Sequence, residues 1–349
     1  MPTLPLLTTP QHPDGWHQVT APGGWESWRF DVESARPAGG ERGHVRVVVA
    51  LHQGDPLDRR YLWRYAAYRA RPTKVRPPLP AEHPAVTVAL FEDDRLTARL
   101  AERVAPQDFS AAAAAANDAA EGGSHRVRVG ASHLELNTQT GTRHLRARVQ
   151  GGGGRRGAGG RTIALDLIFR PLFRRTHVVR LGPHHQWILA DPLSAVEGEV
   201  QLLQDATVAP ASGGGANVRV VQINNGRGYY DHHVGARPLA DLAAGAATLF
   251  TARTLRGDSL VAQQQAGPRC IKVVEMSAAA ANERERALGA GELGRTMHRL
   301  AYPLDLPDAR VIESSLSGAT ILFAAGGDDP SARGVGEVVA PRRAMWVGR

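Results

Sequence analysis

Between Gly226 and Gly235 the chain reads GRGYYDHHVG. Five consecutive residues there, Tyr229, Tyr230, Asp231, His232 and His233, can donate, accept or orient a proton. A turn that only reversed the chain would need the glycines and little else. On a strand, Tyr229, Asp231 and His233 share one face, while Tyr230 and His232 take the other. If the first face looks into an apolar barrel, a phenol, a carboxyl and an imidazole meet in one cavity. Desolvation there penalises the carboxylate, so burial alone raises the carboxyl pKa. A neutral Asp231 beside Tyr229 is then a general acid. The same residues fit a β-turn equally well, with Asp231 bonded to local backbone and both histidines in solvent.

Two further groups of residues lie elsewhere. His185 and Trp187, in HHQW before Pro192, are two apart and share a strand face. As isolated residues they read more simply as a buried, satisfied histidine and a core indole. Trp25 and Trp28, in GWESWRF, supply aromatic surface, which is more often core than a ligand platform. The pairs His184–His185 and His232–His233 point to opposite faces, and no HxH or HExxH occurs, so no metal is expected. No phosphate-cradling glycine loop appears, so no cofactor is expected either. A GxSxG elbow is missing, and Cys270 lies in a strand-like run.

The elements that must position these residues are short. Runs such as His44–Leu51, Ala85–Phe91, His125–Val129, His133–Asn137, Leu145–Val149 and Thr162–Phe169 are β-branched or alternate with period two. Glu197–Leu203, Asn217–Ile223, Ser259–Gln265, Ile271–Met276 and Thr320–Ala324 continue the series. So many short strands separated by Gly, Pro and Asp predict an all-β sandwich or barrel. Ser110–Ala120 and Ala278–Tyr302 read as short inserted helices. GWESWRFDV at 24–32 and ATLFTARTL at 247–255 each open a run of strands. That echo puts a first unit at 1–240 and a smaller second one at 241–349.

Composition bounds the class. The chain has 349 residues, a formal charge of +8 and a single cysteine. An internal disulfide is excluded, and a reducing compartment fits. The positive charge is nearly all arginine and is scattered, so it argues against a nucleic-acid groove reader. Weak adhesion to an anionic membrane surface is the more interesting use of it. The first residues, MPTLPLLTTPQHPDG, lack a secretory pattern, and no apolar run is long enough to span a bilayer. The expected location is the cytoplasm, with peripheral contact to the inner membrane left open.

In this order the motifs resemble the carotenoid 1,2-hydratase (hydroxyneurosporene synthase) family. That family's pattern has an early Trp-rich strand, an H-x-W followed by proline, and G-x-G-Y-x-D-H-N-x-G. Here these are GWESWRF, His185–Trp187 with Pro192, and Gly226–Gly235. An aromatic and an arginine follow as Phe250 and Arg253, and a closing G-x-E-x-x-x-P-x-R as Gly336, Glu337, Pro341 and Arg343. His233 stands where the family tends to have Asn, and Phe250 where Trp is usual.

The resemblance implies two lipocalin-like antiparallel β-barrels in tandem. It also implies a hydro-lyase, free of cofactor and metal, that adds water to a C=C bond of a hydrophobic isoprenoid. Asp231, Tyr229, His185 and His233 would be catalytic. Trp187, Trp25, Trp28, Tyr230, His232 and Arg253 would contact the substrate. The chemistry needs a protonated acid in a dry pocket, aromatic faces for a tertiary cation and one placed water. A non-catalytic carrier of hydrophobic ligands and a pericyclase are the alternatives. No nucleic-acid partner is expected, and the sequence leaves the oligomeric state open. In the catalytic reading Asp231 is buried, with His185 and Trp187 in the same pocket.

Overall fold

A computed structural model describes residues 14–35, 43–112, 124–151, 161–172, 176–204, 217–242, 249–256, 259–266, 269–277, 310–315, 318–324 and 333–339. The chain is all-β, and its described residues form two antiparallel sheets. The strands begin with β1 (Trp25–Glu33), β2 (Val45–Gln53), β3 (Pro84–Glu92), β4 (Arg95–Arg103) and β5 (Phe109–Ala112). Next come β6 (Ser124–Val129), β7 (Ser132–Asn137), β8 (Arg143–Gln150), β9 (Arg161–Pro171), β10 (His177–Gly182), β11 (His185–Gln204) and β12 (Asn217–Gly235). The second sheet uses β13 (Leu249–Arg256), β14 (Ser259–Ala266), β15 (Arg269–Ser277), β16 (Arg310–Ser315), β17 (Gly318–Ala324) and β18 (Arg333–Val339). One helix of any length occurs among the described residues, α1 (Arg59–Ala70), besides the single turn α2 (Leu239–Leu242).

The first sheet runs β4-β3-β2-β1-β12-β11-β9-β8-β7-β6-β5, with β10 paired to β11, and it curls on itself. The second runs β15-β14-β13-β18-β17-β16. The two strands carrying the sequence echo, β1 and β13, are each central in their own sheet. Compactness divides the chain into residues 1–55, 78–178 and 187–236 as one unit, and 56–77, 179–186 and 237–349 as the other. The second unit therefore takes in α1 and the turn before β11 besides the C-terminal strands.

Local chemistry explains the strands. β6 and β8 alternate buried and exposed residues, as a half-buried sheet requires. β2, VRVVVALHQ, is β-branched and almost wholly buried, and it sits between β1 and β3. The core of this sheet gathers Trp28, Phe30, Val47, Val49, Leu51, Val88, Leu145, Leu167, Phe169, Ile188, Tyr230 and Val234.

Several elements differ from the sequence reading. β11 and β12 span 20 and 19 residues, far beyond Glu197–Leu203 and Asn217–Ile223. β1 pairs with β12 over Arg227–Gly235 and β9 with β11 over Ser194–Gln204, so polar residues there stay extended. Ser110–Ala112 belongs to strand β5 instead of opening a helix; the rest of that alanine run and all of Ala278–Tyr302 lie outside the described residues. α1 was not anticipated. Its sequence, RRYLWRYAAYRA, buries only Tyr61 and Leu62, but the Asp58 side chain caps it by accepting from Arg60 N at 2.8 Å. No helix among the described residues is long and apolar enough to cross a membrane.

Candidate active site around Asp231

The GRGYYDHHVG segment is the C-terminal half of β12, not a turn, and it pairs with β1 from Trp25↔Gly235 to Glu33↔Arg227. A Cβ at Gly228 would come 2.4 Å from Val196 Cγ2 and 2.8 Å from Phe169 Cδ1. One at Gly226 would come 2.5 Å from Ile223 Cγ2. The two glycines thus let β12 pack closely where any side chain would collide.

Alternation then sorts the reactive residues. Tyr230 and Val234 join the hydrophobic core, and His232 stacks on the core residue Trp28 with ring centroids 5.0 Å apart. Tyr229, Asp231 and His233 occupy the opposite face. The acid set therefore lies on the face away from the apolar core, where an apolar barrel interior was expected. Buried residues outside that core, Trp25, Ala50, Trp187 and Leu189, accompany this unit.

Asp231 is 2% exposed and is the hub of the site. Its Oδ2 accepts from Trp187 Nε1 at 2.9 Å and from the Tyr229 hydroxyl at 2.6 Å, and His233 Nε2 lies 3.2 Å away. Oδ1 is buried with no hydrogen-bond partner among the described residues. The His233 ring stacks on Trp187 at 5.9 Å and on Trp25 at 6.1 Å. Arg29 is the register partner of Asp231 on β1. Beside this group Ser27, the partner of His233, has its Oγ 3.0 Å from His52 Nδ1.

The electrostatics run against the expectation from burial alone. Burial pushes the Asp231 carboxyl up, but the charge and hydrogen bond of His233, then Arg29, then the Tyr229 hydroxyl outweigh it. The net shift is downward. Tyr229 is pushed well above its ordinary value by burial and by the neighbouring Asp231 charge, so it stays a donor. Burial lowers His52, with Asp55 opposing.

The remaining candidates are placed otherwise. His185 is buried with Nε2 3.0 Å from the Arg237 carbonyl, and burial lowers its pKa. Its ring is thus committed to a backbone carbonyl. Trp28, Tyr230 and His232 stand on the core side of β1 and β12, so strand alternation separates them from Asp231. Arg253 lies on β13 opposite Val335, and Phe250 opposite Val338, in the second sheet. Gly336 and Glu337 belong to β18; Pro341 and Arg343 lie outside the described residues.

The sequence reading missed a buried polar network on the core side. His232 Nε2 lies 2.9 Å from Glu26 Oε1, and its Nδ1 lies 3.2 Å from Asp14 Oδ1. Burial alone would lower His232, but hydrogen bonds to Asp14 and Glu26 and their charges raise it to about 9. Asp14 also accepts from the Tyr230 hydroxyl at 2.7 Å and from Arg143 Nη2 at 3.1 Å. Arg143 in turn sits over the Tyr230 ring at 4.6 Å and 3.3 Å from Asp191. The members come from five separate stretches, and no spacing along the chain connects them.

Comparison with known proteins adds a distant relative. No known family profile matches the chain. A "Hydroxyneurosporene dehydrogenase" of Chlorobaculum tepidum is 26% identical over 239 residues. The match takes in 67% of this chain and 55% of that protein, so it spans about half the relative's length. Among solved structures, CghA with Sch210972 overlays with a TM-score of 0.47 at 9% identity, covering 91% of this chain and 89% of that one. CghA alone gives a TM-score of 0.49 at 9% identity over 93% and 90%.

Proposed function

We propose that the chain is a cofactor-independent hydratase that adds water across a C=C bond of a hydrophobic isoprenoid, a carbon–oxygen lyase. The observation that carries this reading is the Asp231 carboxyl, with Oδ2 accepting from Trp187 and Tyr229 and Oδ1 left open. A carboxyl anchored through one oxygen presents the other to a substrate in fixed orientation. The name of the Chlorobaculum relative, with its hydroxylated isoprenoid, supports the substrate class.

The proton is stored on His233 in this scheme. With His233 protonated, Asp231 is a carboxylate, which accords with its lowered pKa. An apolar substrate covering the part-exposed His233 removes water from the ion pair. Low dielectric then favours the neutral pair, so the proton passes from Nε2 to Oδ2. Rotation of the neutral carboxyl about Cβ–Cγ turns the protonated oxygen to the open position, while the other takes over the bonds from Trp187 and Tyr229. Asp231 protonates the less substituted alkene carbon, and the indoles of Trp25 and Trp187 face the tertiary cation. Water adds to the cation and returns its proton to Asp231. One water is consumed and the acid is regenerated.

The test is incubation of the full chain with lycopene in detergent and heavy water. The expected product is heavier by one D2O, and Asp231→Asn abolishes it while the far-ultraviolet circular dichroism is unchanged. Turnover retained in Asp231→Asn removes Asp231 as the acid. The downward shift of Asp231 favours a second reading, a ligand carrier or pericyclase in which the carboxylate only orders its neighbours. That reading expects lycopene to be recovered unlabelled and Asp231→Asn to bind it normally.

A further inference from the structure

We propose that His17, Glu26 and His232 form a binding site for one divalent first-row cation, with zinc the occupant their ligand types fit best. The site lies on the core side of β1 and β12 and is independent of the reaction assigned to Asp231. One ligand atom from each residue lies within 4.8 Å of the other two. The three side chains are buried; His232 belongs to GRGYYDHHVG and Glu26 to GWESWRF, while His17 lies outside both motifs.

The backbone brings them together. Glu26 pairs with Val234 and Trp28 with His232, so Glu26 and His232 are diagonal neighbours on one face. His17 precedes β1, and its backbone N donates to Glu26 Oε1 at 2.9 Å, which holds the segment against the strand. His17 Nδ1 then lies 3.2 Å from Glu26 Oε1, and His232 Nε2 lies 2.9 Å from it. Tetrahedral zinc with bonds of about 2.0–2.1 Å sets ligand atoms about 3.3 Å apart. The two contacts to Glu26 Oε1 are thus within a few tenths of an ångström of that spacing, and the two imidazole nitrogens, within 4.8 Å of each other, complete the triangle.

Three features point to a cation rather than to a hydrogen-bonded cluster alone. Glu26 Oε2 is buried with no hydrogen-bond partner among the described residues, which leaves a ligand oxygen spare. Asp14 Oδ1 lies 3.2 Å from His232 Nδ1, on the ring nitrogen that a metal at Nε2 would leave protonated. Metal-ligating histidines turn that second nitrogen toward a carboxylate; here the contact is at ion-pair distance, outside hydrogen-bond alignment, and a small turn of the ring would align it. Asp14 is itself fixed by Tyr230 and Arg143. Two imidazoles and one carboxylate are a known zinc donor set. On binding, the cation takes the place of the Nε2 proton of His232, which leaves for solvent, while the proton on Nδ1 stays on the ring beside Asp14.

The test uses the full chain, stripped with a chelator and titrated with ZnCl2 or CoCl2. One cobalt per chain is expected, with the intense visible absorption of tetrahedral cobalt and displacement by zinc. Emission of Trp28, stacked on His232, should change at the same equivalence point. His17→Gln should abolish the tetrahedral spectrum, and Asp14→Asn should weaken binding about 10–100-fold. Absence of stoichiometric cobalt in the unmutated chain overturns the site, whatever the variants do. So does wild-type affinity in a folded His17→Gln protein.

Discussion

Trp187 and Asp231 stand 44 positions apart in the chain and meet through one buried hydrogen bond, Nε1 to Oδ2 at 2.9 Å. The bond ties β11 to β12 and orients the carboxyl. Trp187→Phe keeps most of the ring and removes the donor. The loss should cost about 1–3 kcal/mol, because the carboxylate remains buried with one fewer partner. Asp231 should titrate higher in the variant, since an N–H that stabilised the anion is gone. Urea denaturation and a carbon-detected titration of the Asp231 carboxyl would measure both. An unchanged midpoint together with an unchanged titration would show that the bond contributes nothing.

Gly228 faces Val196 and Phe169 more closely than a methyl group allows. Gly228→Ala should therefore destabilise the first sheet by about 1–3 kcal/mol through overpacking. Trimming the obstacle with a second change, Val196→Ala, should recover part of that loss, because the two sites share one space. Independent, additive effects in denaturant would show that the close approach does not matter.

How far the sequence could be read depends on the range of the interaction. Alternation along Tyr229–His233 is local, so the grouping of Tyr229, Asp231 and His233 was legible. The direction in which that group faces was not, because it depends on which side of β12 receives the side chains of Phe30 and Phe169. Burial predicted the Asp231 pKa to move up; the strand register that sets Arg29 opposite Asp231, with His233 two residues on, moves it down. The length of β12 was hidden because Asn224 and Asn225 look like a turn, yet pairing with β1 covers the second half of the strand. His17, Glu26 and Asp14 carried no signal, since their partner His232 lies over 200 positions away.

Asp191 makes stability depend on pH. Burial raises its pKa to about 6, against the opposing pull of Arg143 and the Ser194 hydroxyl. A raised folded pKa means that the native state binds the proton more tightly than the unfolded chain does. Its contribution is thus fully present below about pH 4 and is lost as pH rises through about 6. The shift of roughly two units corresponds to about 3 kcal/mol at most. Asp191→Asn should flatten this part of the profile of unfolding free energy against pH. If the variant and the parent chain decline in parallel between pH 4 and 6, another group is responsible.

His233 tests where the proton resides. Its charge and hydrogen bond are the largest influences holding the Asp231 carboxyl down against burial. His233→Phe keeps an aromatic ring beside Trp25 and Trp187 but removes both influences, leaving Arg29, Tyr229 and Trp187 around the carboxyl. The Asp231 pKa should then rise. The neutral acid becomes more populated at neutral pH, while the store that resupplies it is gone. In the hydratase reading the pair holds the catalytic proton in the parent chain and Asp231 alone holds it in the variant. The falling limb of the kcat/KM profile should therefore move to lower pH, with the Asp231→Asn variant inactive throughout. In a carrier, ligand affinity should respond to the lost stacking surface alone and show no such displacement with pH. A kcat/KM profile that keeps its position in His233→Phe would mean that the proton delivered to substrate never rests on this histidine.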